Sequence, residues 1–210
     1  MNQPRAAQTK RKTRIQAEKE KLILEAALEV FANHGFRGST IDQIADEAGM
    51  SKPNLLYYFP TKEAIHRLLI DEILDTWLDP LRDIDPEGEP FSEIRSYIRR
   101  KLEMSRDFPR ESRLFANEIL QGAPRIQEEL QDLKNLVDEK AKVFETWIKA
   151  GKLGKFDPYH MLFSIWATTQ HYADFDVQVQ AVLGGKLSGE GRFEDAARFL
   201  EQLFVGGLKP

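Results

Sequence analysis

Apolar positions recur along this chain at intervals of three and four, the repeat of a helix face, and no run alternates as a half-buried strand would. From Glu18 to His34 the stripe is Ile23, Ala26, Ala27, Val30 and Phe31, closed by Gly35. Thr40 and Gln43 have capping-box spacing ahead of a short helix with inner face Ile41, Ile44, Ala45 and Ala48, and Gly49 lies just past its end. Ser51 can cap the next helix, with Pro53 tolerated in a first turn where the amide it lacks has no intrahelical partner. Thr61 can cap a long fourth helix carrying Ile65, Leu68, Leu69, Ile73, Leu74, Trp77 and Leu81 on one side. An acidic Pro/Gly loop at 83–90 precedes helical segments at 91–108 and 109–120, and GAP at 122–124 parts these from a long helix near 125–149. GKLGKFDP at 151–158 breaks that helix; helices at 159–179 and 193–204, separated by LGGKLSGEG at 183–191, complete the pattern. The pattern predicts an all-α chain of about nine helices.

Residues 40–57 combine two short helices with a glycine corner, a helix-turn-helix that can set its second helix in the major groove of DNA. Such corners are common in all-α proteins, so the outward residues must carry the case. In the second helix Leu55 and Leu56 are expected to point inward, leaving Lys52, Pro53, Asn54, Tyr57 and Tyr58 outside. Lys52 suits a phosphate or a guanine edge, Asn54 suits an adenine edge, and tyrosine hydroxyls suit phosphate oxygens. The helix N-termini capped by Thr40, Ser51 and Thr61 favour an anion, and Lys62 is expected to add a phosphate clamp.

Charge sharpens this picture. The net charge is −4, yet residues 1–62 hold 10 Lys and Arg against 7 Asp and Glu, while the remaining residues carry an acidic excess. A basic end on an acidic body suggests that one end alone meets a polyanion, although basic termini are often solvated tails. With no cysteine there is neither a disulfide framework nor a thiolate site. No apolar run reaches the length of a membrane span and no signal peptide is visible, so the chain reads as cytoplasmic, without membrane or cofactor. Enzyme readings are weak. Glu63-x-x-His66 and Asp157-x-x-His160 mimic half of a di-iron motif but lack the further carboxylates, and GGKLS at 184–188 is not a phosphate loop.

The stretch GFRGSTIDQIADEAGMSKPNLLYYFPTKEAI, 35–65, resembles the DNA-binding domain of the TetR family of transcriptional repressors. It matches in its Gly35–Thr40 opening, in I-A-x-x-A-G at 44–49, and in the aromatics followed by Lys62 and Glu63, although Leu56-Tyr57-Tyr58-Phe59 shifts one position of the usual aromatic pattern toward Leu. Further along, SRDFPRESRLFANEILQGAP (105–124) and IWATTQHYADFDVQV (165–179) are similar to pyrimidine-utilisation regulators of that family. The resemblance implies a homodimeric repressor of double-stranded operator DNA, with no enzymatic activity. It further implies release of the operator when uracil or thymine binds in the C-terminal domain, with genes of pyrimidine breakdown as targets. The same scaffold tuned to a hydrophobic drug or acyl compound is the alternative. The domains follow as a disordered basic arm at 1–17, the helix-turn-helix domain at 18–62, and a ligand-binding and dimerisation domain at 63–210.

A uracil ring alternates acceptors and donors along its edge. Gln170 can both accept and donate, and Trp166 lies four residues earlier on the same helix face, where it can stack. Trp77 is the natural second wall, with Phe115, Asn117 and Glu118 as further candidates. Each Trp could instead be ordinary core, and Gln170 could bond across a two-fold. The family's last two helices pair into a four-helix bundle, which makes Phe163, Phe175, Val179, Phe199 and Leu203 the expected dimer interface. Trp77 and Lys62 share the fourth helix, so a ligand against Trp77 could alter the half-site spacing of about 34–36 Å that a DNA turn imposes.

Overall fold

A computed structural model of the chain describes residues 14–184 and 190–208; the basic residues before Arg14 and most of the GGKLS segment lie outside them. The described residues form ten α-helices and divide into two compact units, Met1–His66 and Arg67–Pro210. The division falls four residues beyond the expected boundary at 62/63.

The first unit holds α1 (Arg14–Gly38), α2 (Ile41–Glu47), α3 (Lys52–Tyr58) and the start of α4 (Lys62–Arg82). Helix α1 begins at Arg14, so the last four residues assigned to the arm are helical. Gly35 sits at φ 64°, ψ 170°, a conformation open to glycine, and kinks α1 so that Phe36 turns inward. The hydroxyl of Ser39 donates to the carbonyl of Gly35 at 2.6 Å and holds the bend. Thr40 and Gln43 form the complete capping box of α2, and Gly49, at φ 63°, follows its end.

The core of this unit is Ile23, Ala27, Phe31, Ile44, Leu55, Phe59 and Ile65. Leu55 is fully buried, but Leu56 is 36 % exposed, contrary to the expected inward pair. A seven-residue helix has room for one buried stripe, and consecutive residues diverge by about 100° around it. Phe59, just past the helix, takes the second anchoring position. His66 is buried with its ring edge-on to Phe31 and Phe36, at 5.2 and 4.8 Å.

The second unit contains the remainder of α4, then α5 (Pro90–Asp107), α6 (Pro109–Leu120), α7 (Gln127–Lys149), α8 (Pro158–Asp174), α9 (Asp176–Leu183) and α10 (Glu190–Gly206). Glu89 and Asp157 cap α5 and α8 by accepting from two backbone amides each, with proline opening both helices. The core joins Leu81, Ile94, Ile98, Leu102, Phe144, Trp147, Leu162, Ile165 and Leu200. Helix α8 packs on α5, α6 and α7, and α5 packs on α10 as well. The loop at 83–90 is tied down by side chains: Lys140 Nζ donates to the carbonyls of Arg82 and Ile84 at 2.8 and 3.1 Å, and the Trp147 indole donates to Pro86 at 3.0 Å.

The expected helix 159–179 is two helices, which raises the count from nine to ten. Phe175, at φ −115° and ψ 29°, leaves the helical well, and the ladder restarts at Asp176, whose charge suits a helix N-terminus.

The buried and exposed leucines of α3 should respond differently to truncation. Leu55→Ala should destabilise the N-terminal unit by about 2–5 kcal/mol, whereas Leu56→Ala should stay within about 0.5 kcal/mol. Chemical denaturation followed by circular dichroism checks the pair, and equal losses would contradict the arrangement.

Candidate DNA-reading surface and ligand cavity

On α3, Lys52, Pro53, Asn54 and Tyr57 are exposed, and Tyr58 is half-buried with its ring edge-on to Tyr57 at 5.2 Å. Lys52 Nζ forms an ion pair of 2.9 Å with Asp42 of α2; both side chains remain largely in solvent, where such a pair is easily exchanged for another anion. Ser51 occupies the N-cap position of α3 without the side-chain bond expected of it. Thr61 Oγ1 accepts from the Ala64 amide at 3.1 Å and so caps α4 as read from the sequence.

Lys62 has an internal occupation that the sequence reading missed. Its ammonium donates to the carbonyls of Phe36 and Ser39, at 2.7 and 2.6 Å, and lies 4.2 Å from the centre of the Phe36 ring. A cation at carbonyls beyond a helix end is held by the dipole as well as by the hydrogen bonds. Lys62 therefore fastens the end of α1 to the start of α4.

In the second unit, a cavity of about 70 Å³ opens between five helices. Trp77 and the leucines at 74, 78 and 81 line it from α4, Tyr97 and Lys101 from α5, Phe115 from α6, Leu133 from α7, and Trp166 and Gln170 from α8. Four of the six residues proposed as ligand contacts meet here: Trp77, Phe115, Trp166 and Gln170.

Asn117 and Glu118 do not line the cavity. Asn117 is about 200° around α6 from Phe115. The Glu118 carboxylate is buried, accepting from the Arg125 amide and guanidinium, both at 3.1 Å, so it holds the turn after α6.

Tyr97, Lys101 and Leu133 belong to the cavity and were missed. The Trp166 indole donates to the Tyr97 hydroxyl at 2.6 Å, joining α8 to α5 across one wall, and burial pushes the Tyr97 phenol well above its ordinary value. Lys101 is 3 % exposed, and its Nζ stands 5.0 Å from the centre of the Trp77 ring. Burial lowers its pKa to about 7. The Trp77 indole nitrogen is buried with no hydrogen-bond partner among the described residues. One signal for Lys101 was available: it interrupts the apolar stripe Ile94, Tyr97, Ile98, Leu102 on α5 at helical spacing.

Phe163 of α8, Phe199 and Leu203 of α10, and Phe175 between α8 and α9 are exposed, while Val179 is already buried within the single chain. Val177 and Val182 of α9, which were not singled out from the sequence, are strongly exposed. Among the described residues no cluster of His, Asp and Glu could hold a metal, and no helix is long and apolar enough to cross a membrane. The half-motifs considered for an enzyme have other uses: Asp157 caps α8 and His66 packs between phenylalanines.

A helix-turn-helix in one unit and a cavity between helices in the other have the organisation of a transcriptional regulator. Residues 23–68 match the tetR family of bacterial regulatory proteins, and residues 70–210 match the C-terminal region of YcdC-like proteins. The chain belongs to the TetR family, whose members regulate transcription rather than catalyse reactions. It is 46 % identical over 211 residues to the HTH-type transcriptional regulator RutR of Escherichia coli K12, covering 100 % of both chains. Among solved structures it is similar to a TetR-like regulator from Rhodococcus sp. RHA1, with TM-score 0.69, 23 % identity, and coverage of 94 % of this chain and 98 % of the other. It is likewise similar to the ketosteroid regulator KstR2 of Mycobacterium tuberculosis, with TM-score 0.72, 21 % identity, and coverage of 95 % and 97 %.

Lys62→Ala should cost about 1.5–3 kcal/mol of stability in the first unit, the range for hydrogen bonds to a charged group. The salt dependence of operator binding by the folded variant should be unchanged. A slope smaller by about one would show that Lys62 also neutralises a phosphate.

Proposed function

We propose that this regulator binds double-stranded operator DNA as a homodimer, represses genes of pyrimidine breakdown, and releases the operator when uracil or thymine enters the cavity of its second unit. The observation that carries this reading is the meeting of Gln170 with Trp77 and Trp166 in that cavity. A carboxamide that both accepts and donates matches the alternating edge of a pyrimidine, and two indoles match its flat faces.

The cavity's volume of about 70 Å³ speaks against a long acyl chain or a drug, whose pockets run to about 300–1,000 Å³. Full-length similarity to RutR supports the same reading. For DNA, the exposed row Lys52, Asn54 and Tyr57 supports readout by α3, with Asn54 set to read one base pair. For the dimer, support comes from the exposed apolar residues Phe163, Phe199 and Leu203 on α8 and α10. Helix α4 carries residues of both units, and pressure of the ligand on Trp77 is the route we assign to the response. To shift the population from bound to released, the ligand must favour the releasing conformation by several kcal/mol.

Fluorescence anisotropy with a labelled operator tests the proposal. Uracil or thymine should lower the operator affinity of the wild type, and Gln170→Leu should abolish that response. Operator affinity that ignores both bases would overturn the pyrimidine reading. Replacing Asn54 should change preference at a single base pair; a uniform loss across sequences would assign it to the phosphate backbone instead.

A further inference from the structure

Three of the chain's lysines have ammonium groups drawn in against the protein, and two of them are explained by what they touch. Lys62 has the carbonyls of Phe36 and Ser39, and Lys140 has those of Arg82 and Ile84. Lys101 is as buried as Lys140, yet among the described residues its ammonium has no hydrogen-bond acceptor; its neighbour is the ring of Trp77. A charged group taken out of water without an acceptor is costly, and the ring quadrupole offsets only part of the cost. Lys101 also lines the cavity, whose polar groups besides it are the Tyr97 hydroxyl, engaged by Trp166, the Gln170 carboxamide and the unpartnered indole nitrogen of Trp77. Neither the Tyr97 nor the Gln170 oxygen is hydrogen-bonded to the Lys101 ammonium among the described residues.

We infer that Lys101 supplies a charged donor to a carbonyl oxygen of the bound ring, while Gln170 reads the adjoining edge. The inference rests on the pyrimidine reading and gives it a polar anchor that Gln170 alone does not provide. Burial accounts for the lowered pKa of Lys101, about 7, without any charged partner, so in the empty protein the amine loses its proton near neutrality. Among the residues lining the cavity, the other titratable group is Tyr97 of α5, whose phenol burial keeps neutral; α4, α6, α7 and α8 present uncharged side chains.

A carbonyl placed against the ammonium stabilises the charged form and raises the pKa again. Binding then takes up protons near neutrality, at most one per site. Affinity is greatest below pH 7 and falls as pH rises through about 7, because the ligand prefers the protonated form that is then lost.

Isothermal titration of uracil into the full-length protein between pH 6 and 8.5, in buffers of different ionisation enthalpy, tests this. Wild-type protein should take up protons on binding within this pH range, at most one per site. Lys101→Met should weaken binding about tenfold or more at pH 6 and abolish the uptake. The wild-type proton count stands without the variant should that variant fold poorly. Uracil binding with no proton uptake, or with undiminished affinity in a folded Lys101→Met protein, overturns the role of Lys101 and leaves the pyrimidine reading intact. Failure of uracil to bind at every pH overturns the pyrimidine reading and the inference with it.

Discussion

Everything in the second unit depends on how α8 divides its circumference. Leu162, Ile165, Thr169 and Ala173 form a buried stripe at intervals of three and four, directed at the core shared with α5, α6 and α7. Trp166 and Gln170, each one residue past a member of that stripe, reach the cavity, and Phe163 is exposed. Core and cavity are thus adjacent sectors of one helix, and Phe163 lies on the cavity side, two turns before Gln170 and with its ring 5.6 Å from that of Trp166. Turning it by the angle of a single residue, about 100°, would remove Gln170 from the cavity and strip the core of its stripe together. The buried hydroxyl of Thr169 does not disturb this register, because it donates to the Ile165 carbonyl at 2.7 Å within the helix.

The polar groups of the interior hold that register. A hydrogen bond of 2.6 Å between the Trp166 indole and the Tyr97 hydroxyl pins α8 to α5 at the cavity wall. On α6, Ser112 donates to Asp174 at the end of α8, also at 2.6 Å, and burial raises the pKa of that carboxyl group. Lysines do comparable work elsewhere by meeting carbonyls that helices and loops leave unpaired: Lys140 holds the loop after α4, and Lys62 holds the end of α1. These bonds add modest stability, but removing one partner would leave a buried polar group unsatisfied, so they specify positions more than they strengthen them.

The helices were legible because their signals are local. Capping boxes, prolines in first turns and stripes at helical spacing placed α2, α3, α4 and α8 within a few residues. The break at Phe175 was not legible, since no glycine or proline marks it and only the backbone conformation reveals it. The outward row of α3 followed from one residue after another, yet Leu56 was misplaced because two adjacent leucines look alike in sequence while a helix turns them apart. Gln170 and Trp166 could be paired because they are four residues apart on one helix. Tyr97, Lys101 and Leu133 could not be joined to them, since they arrive from two other helices and their meeting depends on packing alone. The second occupation of Lys62 was hidden for a related reason: a lysine among DNA-facing residues reads as a phosphate ligand, and its carbonyl partners lie 23 and 26 positions away.

An apolar lining would make the cavity permissive, because hydrophobic contact discriminates weakly between ligands of similar size. The leucines and indoles here supply that undirected part. Lys101, Gln170 and the Trp77 indole nitrogen add polar atoms around a space of about 70 Å³, and the indole nitrogen is buried there without a partner among the described residues. A hydrocarbon of the right volume would fill the space and leave the Lys101 ammonium and the Trp77 indole nitrogen unpaired, at a cost that grows with each. A flat ring edged with carbonyl and N–H groups satisfies them at once. Under the proposed function, selectivity resides less in the attraction offered to the right ring than in the penalty imposed on an apolar ligand, and Lys101, buried at 3 % exposure, is the residue to which the proposal assigns the largest share of it.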